Sequence, residues 1–300
     1  MGSGYAKAKT VYLDSAHWFD LTDCKLSRER FETAIKMELI VPVISFIHLL
    51  EICNREESFR SSVTSYIDHI ACLTSIRWIK GLPSVAKTEV ENSFLKANGV
   101  TPTPVSPLVE HFVDTLETKL PWFSREEARY RTVSRIVEDL SSTHEKKRYG
   151  KFRELSPVFD IKKLRVLRSG KKSACLVADM PMYAADYLGK SVTTPNGIRI
   201  SVTHGSLERF KETFSLSECP AFATKIANFE GWSRSSGGEE ASMFEDLFHL
   251  VALAYCDITF VDGRTWEALK KGRNAGVPLT KMPLRNGKFA SWLKDLRCKK

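Results

Sequence analysis

The segment KTVYLDSAHW, residues 9–18, places an acidic residue where a short apolar run gives way to a helix-like one. Val11, Tyr12 and Leu13 favour a β-strand, because β-branched and aromatic side chains suit a pleated, half-buried surface. Asp14 then has two interpretations. It caps the next helix by accepting a hydrogen bond from the first amides of that helix, or it is a ligand at the mouth of a sheet, where open α/β folds keep their sites.

The elements that follow predict a parallel sheet. SRERFETAIKMEL (27–39) has the pattern of a helix, LIVPVIS (39–45) that of a buried strand, and SFIHLLEIC (45–53) again that of a helix. Strands that alternate with helices in this way imply βαβ units, in which the strands run parallel.

The same alternation returns near the C-terminus. A helix over 243–255 precedes a predicted strand over 257–261, which ends on Asp262-Gly263. The next helix has Gly272 or Gly276 as its C-cap. The sequence there predicts a helix, a strand and a final helix, over 265–276, 277–283 and 287–296.

The residues between these two regions predict mostly helices, over 58–76, 84–97, 106–120, 124–149, 206–214 and 219–229. A β-hairpin is expected at 190–203, where Asn196-Gly197 lies between β-branched runs. Because the two α/β regions together have the size of a domain, the sequence predicts a discontinuous core, 8–57 with 240–300. A mainly helical insertion, 58–239, contains the hairpin; an independent helical domain is the alternative.

Composition is that of an ordinary globular chain. The 300 residues are 43% hydrophobic and 27% charged, and no apolar run approaches the roughly 20 residues that a membrane span needs. The seven cysteines include no CxxC pair, which argues against a zinc knuckle or a disulfide scaffold. Reduced thiols and a cytoplasmic location are therefore expected.

Positive charge is concentrated in two stretches. Residues 141–175 carry eleven Lys or Arg against three acids, and residues 263–300 carry eleven against two, in a chain whose net charge is +9. The rest of the chain is therefore acidic. This asymmetry favours a polyanionic ligand that approaches a carboxylate-rich centre; the alternative is that these cations solubilise helix surfaces.

Four carboxylates occupy positions that core packing does not require: Asp14, Glu51, Asp246 and Asp262. Each alone has an ordinary interpretation, such as an N-cap, a first-turn acid or a turn, but together they can converge on one crevice. A cluster of ionised carboxylates needs cations, and ligation by oxygen alone suits Mg²⁺ or Mn²⁺. Two such ions can activate water and stabilise the leaving oxygen of a phosphodiester.

VYLDSAHW, VPVISFIHLLE and the segment from EDLFHLVALAY to GVPLTKMP together resemble the PIN-domain nuclease pattern. In that family one acid ends the first strand, another lies on the helix after the second strand, a third opens a later helix and a fourth ends the next strand. The matching residues are Asp14, Glu51, Asp246 and Asp262. The resemblance implies a three-layer α/β fold around a mostly parallel sheet and a metal-dependent endonuclease activity, most often on RNA.

This chain departs from the family in two ways. The family often has Thr or Ser two residues before its last acid, where this chain has Phe260. The chain between Glu51 and Asp246 is also far longer than in compact PIN domains, which requires the insertion. Asp257, just before the strand, is a fifth metal-ligand candidate or a rival to Asp262. Other candidates for the third acid are Glu239, Glu240 and Glu245.

Three histidines lie three residues from a proposed acid: His17, His48 and His249. On a helix this spacing puts both side chains on one face. We hypothesise that one or more supports the metal ligands or protonates the leaving oxygen; the alternative is an ordinary packed histidine. Contacts to the phosphate backbone are predicted for Lys146, Lys147, Arg148, Lys171, Lys172, Arg264, Lys270 and Lys271.

The sequence thus predicts a PIN-like endoribonuclease that uses Mg²⁺ or Mn²⁺ and leaves a 3′-hydroxyl and a 5′-phosphate. RNA processing, a growth-arresting toxin and defence against foreign nucleic acid all fit this activity, and a homodimer or an inhibitory protein partner is compatible with it. The alternatives are a PIN-like nucleic-acid-binding or scaffold protein that has lost its metal, and a nuclease specific for single-stranded or flapped DNA.

Overall fold

The computed structural model describes residues 8–115, 131–142, 180–234 and 247–296 of the chain. Within these ranges the protein is an α/β structure with a six-stranded, mostly parallel sheet, a separate hairpin and twelve α-helices. The strands, numbered along the chain, are β1 (Lys9–Tyr12), β2 (Ile40–Ser45), β3 (Arg77–Ile79), β4 (Leu108–Val109), β5 (Ser191–Thr193), β6 (Arg199–Ser201), β7 (Ile258–Val261) and β8 (Leu284–Arg285).

The helices alternate with strands at both ends of the chain. They are α1 (Ser15–Asp23), α2 (Lys25–Lys36), α3 (Phe46–Cys53), α4 (Glu57–Leu73), α5 (Leu82–Ala97), α6 (Val133–Ser142), α7 (Met180–Ala185), α8 (His204–Thr213), α9 (Pro220–Ser233), α10 (Val251–Tyr255), α11 (Gly263–Asn274) and α12 (Phe289–Asp295). Single 3₁₀ turns occur at Phe112–Thr115, Leu216–Glu218 and Asn286–Lys288. None of the helices in the described ranges is both long enough and apolar enough to cross a bilayer.

The strand order is β4-β3-β2-β1-β7-β8, so the two ends of the chain share one sheet. β1 pairs in parallel with β2 on one side and with β7 on the other, and only β4 runs antiparallel to its neighbour. The βαβ interpretation of the sequence is confirmed. The division into a core and an insertion stays a prediction, and two strands of this sheet, β3 and β4, come from the 58–239 segment.

Residues of β1 alternate between two hydrophobic clusters, one on each face of the sheet. Val11 and Leu13 belong to a cluster that includes Trp18 and Phe31, whereas Tyr12 belongs to the other. This alternation follows from the twofold repeat of a strand. Because helices cover both faces, Val11, Tyr12 and Leu13 are buried on both sides of the sheet and form a continuous apolar run.

Two helices from distant parts of the chain approach each other closely. A Cβ on Gly231 of α9 would overlap the backbone of Ala268, and a Cβ on Gly272 of α11 would overlap the backbone of Ala227. Gly272 is therefore needed for close packing. Gly276, at φ +94°, is the glycine that ends α11 in the left-handed conformation.

The side chain of Glu89, on α5, holds the start of α9. Its carboxylate accepts hydrogen bonds from the backbone amides of Ala221 and Phe222, both at 2.9 Å, and from the Tyr255 hydroxyl at 2.5 Å. The buried carboxylate thus satisfies amides at the start of α9 that have no partner within the helix.

Other sequence predictions have mixed outcomes. The hairpin is confirmed, with β5 antiparallel to β6 and Gly197 at φ +80°. The helix predicted over 106–120 is wrong in its first part, because Leu108 and Val109 pair with the edge of β3 as β4. The strand predicted over 277–283 is also wrong, since the residues that pair with β7 are Leu284 and Arg285.

Candidate active site

The carboxyl ends of β1 and β7 form a topological switch point. From β1 the chain proceeds through β2 and β3 on one side, whereas β7 leads to β8 on the other. In open α/β sheets the crevice outside the strands at such a point is where ligands bind. Asp14 lies two residues after β1 and Asp262 directly follows β7, so two of the predicted acids lie at this end of the sheet.

Asp14 is both a helix cap and part of a longer-range contact. It is the N-cap of α1, but its contact with the Ala16 amide is long, at 3.4 Å. Its other oxygen accepts a hydrogen bond of 2.5 Å from the side-chain amide of Asn286, which follows β8. The Oδ1 atom of Asn286 is buried and has no hydrogen-bond partner within the described parts of the chain. The contact with Asn286 orients the carboxylate across the end of β7.

Glu51 extends from α3 toward the same edge and is held as a carboxylate. It accepts hydrogen bonds from the Ser15 hydroxyl and, at 3.1 Å, from Nε2 of His249. Burial alone raises the pKa of Glu51, but His249, Ser15 and His48 outweigh burial and lower the pKa to about 2. Glu51 is therefore ionised near neutral pH.

A chain of buried hydrogen bonds continues inward from His249. The Tyr12 hydroxyl lies 2.5 Å from Nδ1 of His249 and 2.7 Å from the Ser45 hydroxyl. Burial raises the pKa of Tyr12 well above its ordinary range, so the phenol keeps its proton. When that proton is donated to Nδ1, the imidazole carries its own proton on Nε2, which faces Glu51.

His48 ends this chain and has a fixed tautomer. Its Nδ1 accepts from the Ser45 amide at 3.0 Å, so its Nε2–H donates to the Leu13 carbonyl at 2.7 Å. Burial, followed by the nearby His249, lowers the pKa of His48 to about 3. A neutral ring bonded on both nitrogens fits a structural role, and His48 makes no direct hydrogen bond to Glu51 among the contacts of the described residues.

Asp262 is engaged by its own helix. Oδ1 accepts from the Thr265 amide at 2.8 Å and Oδ2 from the Thr265 hydroxyl at 3.0 Å, which makes Asp262 the N-cap of α11. Asp262 is thus a helix cap, whereas its ordinary interpretation from the sequence is a turn. One lone pair on each oxygen remains for a ligand, since a carboxylate has about four acceptor positions.

Asp257 lies at the amino end of β7, opposite the end where Asp262 lies. The prediction that Asp257 is a metal ligand together with the other acids is therefore corrected. Asp257 precedes β7, and its carboxylate accepts from the amide and the hydroxyl of Thr10, at 2.7 and 2.8 Å. At about 3.3 Å per residue, the strand separates it from Asp262 by roughly 16 Å. It does not share a crevice with Asp14, because the two acids lie at opposite ends of paired parallel strands.

His17 is packed among aromatic rings. Its ring centroid lies 4.4 Å from that of Phe289 and 5.2 Å from that of Phe260, and the residue is 1% exposed. Nε2 lies 3.3 Å from the Asn286 carbonyl, and burial lowers the pKa of His17. This favours the packed-histidine interpretation over a direct role at the crevice.

Several predicted site residues lie outside the described ranges: Glu239, Glu240, Glu245, Asp246, Lys146, Lys147, Arg148, Lys171 and Lys172. Of the predicted phosphate contacts that are described, Arg264 and Lys270 are exposed on α11 and Lys271 is half-buried. Among the described residues, no group of three or more His, Cys, Asp or Glu is arranged to hold a metal ion.

Sequence reasoning missed Ser15 and Asn286, which bond to Glu51 and Asp14. It also missed Tyr12, which bonds to His249, and Ser45, which bonds to Tyr12. Tyr12 and Ser45 fall within predicted strands, where the sequence pattern indicates only core or connecting positions. No local pattern marks Asn286, which is 272 residues from Asp14. Comparison of the chain with family models, with curated proteins and with solved structures gave no match.

Proposed function

We propose that this protein is a metal-dependent endonuclease that hydrolyses phosphodiester bonds in RNA. The observation that carries the proposal is the switch point between β1 and β7. Asp14 and Asp262 lie at the ends of these neighbouring strands, although 248 residues separate them in the sequence. Glu51 from α3 is linked to the first turn of α1 through Ser15. Acids from both ends of the chain therefore follow neighbouring elements at the same end of the sheet.

The donor chemistry of these acids fits Mg²⁺ or Mn²⁺. Glu51 is an ionised carboxylate, and Asp14 has one oxygen held by Asn286 and the other in a long contact. Hard oxygen donors suit these ions. Since the described acids alone form no group of three arranged around an ion, Asp14, Glu51 and Asp262 would need Asp246, which lies outside the described residues, to complete the metal site. A bound ion would supply a water of lowered pKa and stabilise charge on the phosphate oxygens.

The residues around these acids have roles of their own. Asn286 orients Asp14, and Ser15 and His249 orient Glu51 from two sides. The Tyr12 hydroxyl, which is itself hydrogen-bonded to Ser45, holds Nδ1 of His249 on the side away from Glu51. Side chains held in this way lose little freedom when a substrate binds, which is the requirement for a preorganised site.

Cleavage of a 5′-labelled single-stranded RNA in the presence of Mn²⁺ or Mg²⁺ tests the proposal. The wild-type chain should cut the RNA, and Asp14→Asn should lower the rate by at least a hundredfold while circular dichroism stays unchanged. Asp257→Asn, at the opposite edge of the sheet, is the matched control and should cut like the wild type. Equal rates for Asp14→Asn and the wild type would refute the proposal.

One observation favours a second candidate, a nucleic-acid-binding protein that does not cleave. Thr265 occupies both oxygens of Asp262, as in an ordinary helix cap. In that case RNA binding would persist in EDTA, and added Mn²⁺ would produce no cleavage by the wild type. The same labelled RNA separates the two functions.

A further inference from the structure

An aromatic and cationic surface lies beside the crevice, on α11 and β8. The guanidinium carbon of Arg285 is 4.0 Å from the centroid of the Trp266 ring, and Nζ of Lys270 is 5.3 Å from it. The indole N–H donates to the Pro283 carbonyl at 3.1 Å, which fixes the plane of the ring. We call Trp266, Lys270 and Arg285 the Trp266 surface.

The sheet register places this surface next to the proposed site. Arg285 pairs with Val261, the last residue of β7, and is followed directly by Asn286, the hydrogen-bond partner of Asp14. Trp266 lies one helical turn after Asp262. The Trp266 surface therefore adjoins the carboxyl ends of β1 and β7, where Asp14 and Asp262 lie.

The charge on this surface is available to a ligand. Arg285 forms an ion pair with Glu267, but the two side chains are 46% and 49% exposed. Exposed pairs of this kind contribute little free energy, so a phosphate can replace the Glu267 carboxylate at small cost. A guanidinium stacked on an indole keeps its N–H groups at the edge of the stack, where they match phosphate oxygens.

We propose that the Trp266 surface binds single-stranded RNA next to the Asp14 crevice, an inference that rests on the proposed function. Arg285 and Lys270 contact backbone phosphates, and an unpaired base stacks on the Trp266–Arg285 pair. Stacking of this kind requires unstacked, unpaired bases, because those of a duplex are already stacked on each other. The surface therefore selects a single strand over a duplex of the same sequence.

Binding measurements in EDTA test this surface without cleavage. Fluorescence anisotropy with a labelled 12-nucleotide RNA, at several KCl concentrations, should give a Kd about tenfold weaker for Arg285→Ala and a salt slope smaller by about one. Arg285→Lys should recover the salt slope but not the full affinity, because lysine keeps the charge and loses the planar stack. Trp266→Phe should weaken binding about fivefold and preserve the fold.

Lys25→Ala is the control, since Lys25 is 81% exposed on α2 and its loss removes one charge elsewhere. Its Kd should stay within twofold of the wild type. Wild-type affinity in Arg285→Ala, or equal affinity of the wild type for single strand and duplex, would refute the proposal that the Trp266 surface binds single-stranded RNA. Neither result would bear on the proposed cleavage. A wild-type chain that neither binds nor cleaves RNA would overturn both proposals, and DNA of the same sequence shows whether the 2′-hydroxyl matters.

Discussion

His249 and Glu51, 198 residues apart in the chain, are joined by a hydrogen bond of 3.1 Å between Nε2 and Oε1. The His249 side chain is 9% exposed and that of Glu51 21% exposed. The contact ties the segment before β7 to the helix after β2. Together with the hydrogen bond between Tyr12 and His249, it links the two ends of the chain directly.

This link should appear as a coupling energy. His249→Gln and Glu51→Gln should each lower the free energy of unfolding, and the double variant should lose less than the sum, by about 1 to 3 kcal/mol. The reason is that Glu51→Gln removes the negative charge that faces His249, and His249→Gln removes the ring nitrogen that donates to Glu51. Urea unfolding of the four proteins measures this; strictly additive losses would mean that the two side chains do not interact.

His48 should make stability depend on pH. Its pKa is about 3 in the folded chain against an ordinary 6.5, so between these values the unfolded chain binds the proton and the folded one does not. The free energy of unfolding should therefore rise with pH across this window, by at most about 1.4 kcal/mol per pH unit from this group.

His48→Gln should remove that contribution, so its unfolding free energy should change less between pH 4 and pH 6.5 than that of the wild type. His204→Gln is the control, because His204 is exposed at the start of α8. Parallel pH curves for His48→Gln and the wild type would contradict the assignment of a neutral, buried ring.

The contact between α9 and α11 predicts a strong effect of one added methyl group. Gly231→Ala and Gly272→Ala should each lower the free energy of unfolding by about 3 kcal/mol or more, because the new Cβ would meet backbone that cannot move aside cheaply. Gly205→Ala, where the nearest atom is an arginine side chain at 3.9 Å, should be neutral or slightly stabilising. Thermal unfolding of the three variants would disprove this packing if all behaved alike.

Asn286 should matter for cleavage more than for folding. Asn286→Ala removes the 2.5 Å hydrogen bond to Asp14 and should lower kcat about tenfold, because the carboxylate loses its orientation. Asn274→Ala, an exposed change at the end of α11, should leave kcat unchanged. If both variants keep wild-type kcat while Asp14→Asn is inactive, Asn286 does not position the acid.

Sequence patterns predicted the central strands because their apolar, β-branched residues have few alternatives. β2 and β7 lie within predicted strands and β1 overlaps one, and Asp14 and Glu51 follow from their places after β1 and β2. β3 and β4 were missed because each is short and adjoins a segment with helical spacing. β3 follows the helix predicted over 58–76, and β4 lies near the start of the one predicted over 106–120. β4 has two residues, and only its pairing with Trp78 and Ile79 makes it a strand.

The polar partners of the acids were harder to predict for a different reason. Ser15 and Asn286, which bond to the acids, and Ser45, which bonds to Tyr12, are ordinary residues in turns and caps. Their roles arise from contacts between distant parts of the chain. The spacing of three residues did point to His249, but its described partners, Glu51 and Tyr12, lie far from it in the chain. Local periodicity contains no information about such contacts.

The central claim is that acids from both chain ends hold a divalent ion at the end of β1 and β7. The most direct measurement is the anomalous difference density of a crystal soaked in Mn²⁺. We expect a peak within coordination distance of Asp14 and Glu51 that disappears in Asp14→Asn. A well-ordered crystal with no Mn²⁺ at that edge, or with Mn²⁺ bound only elsewhere, would contradict the account.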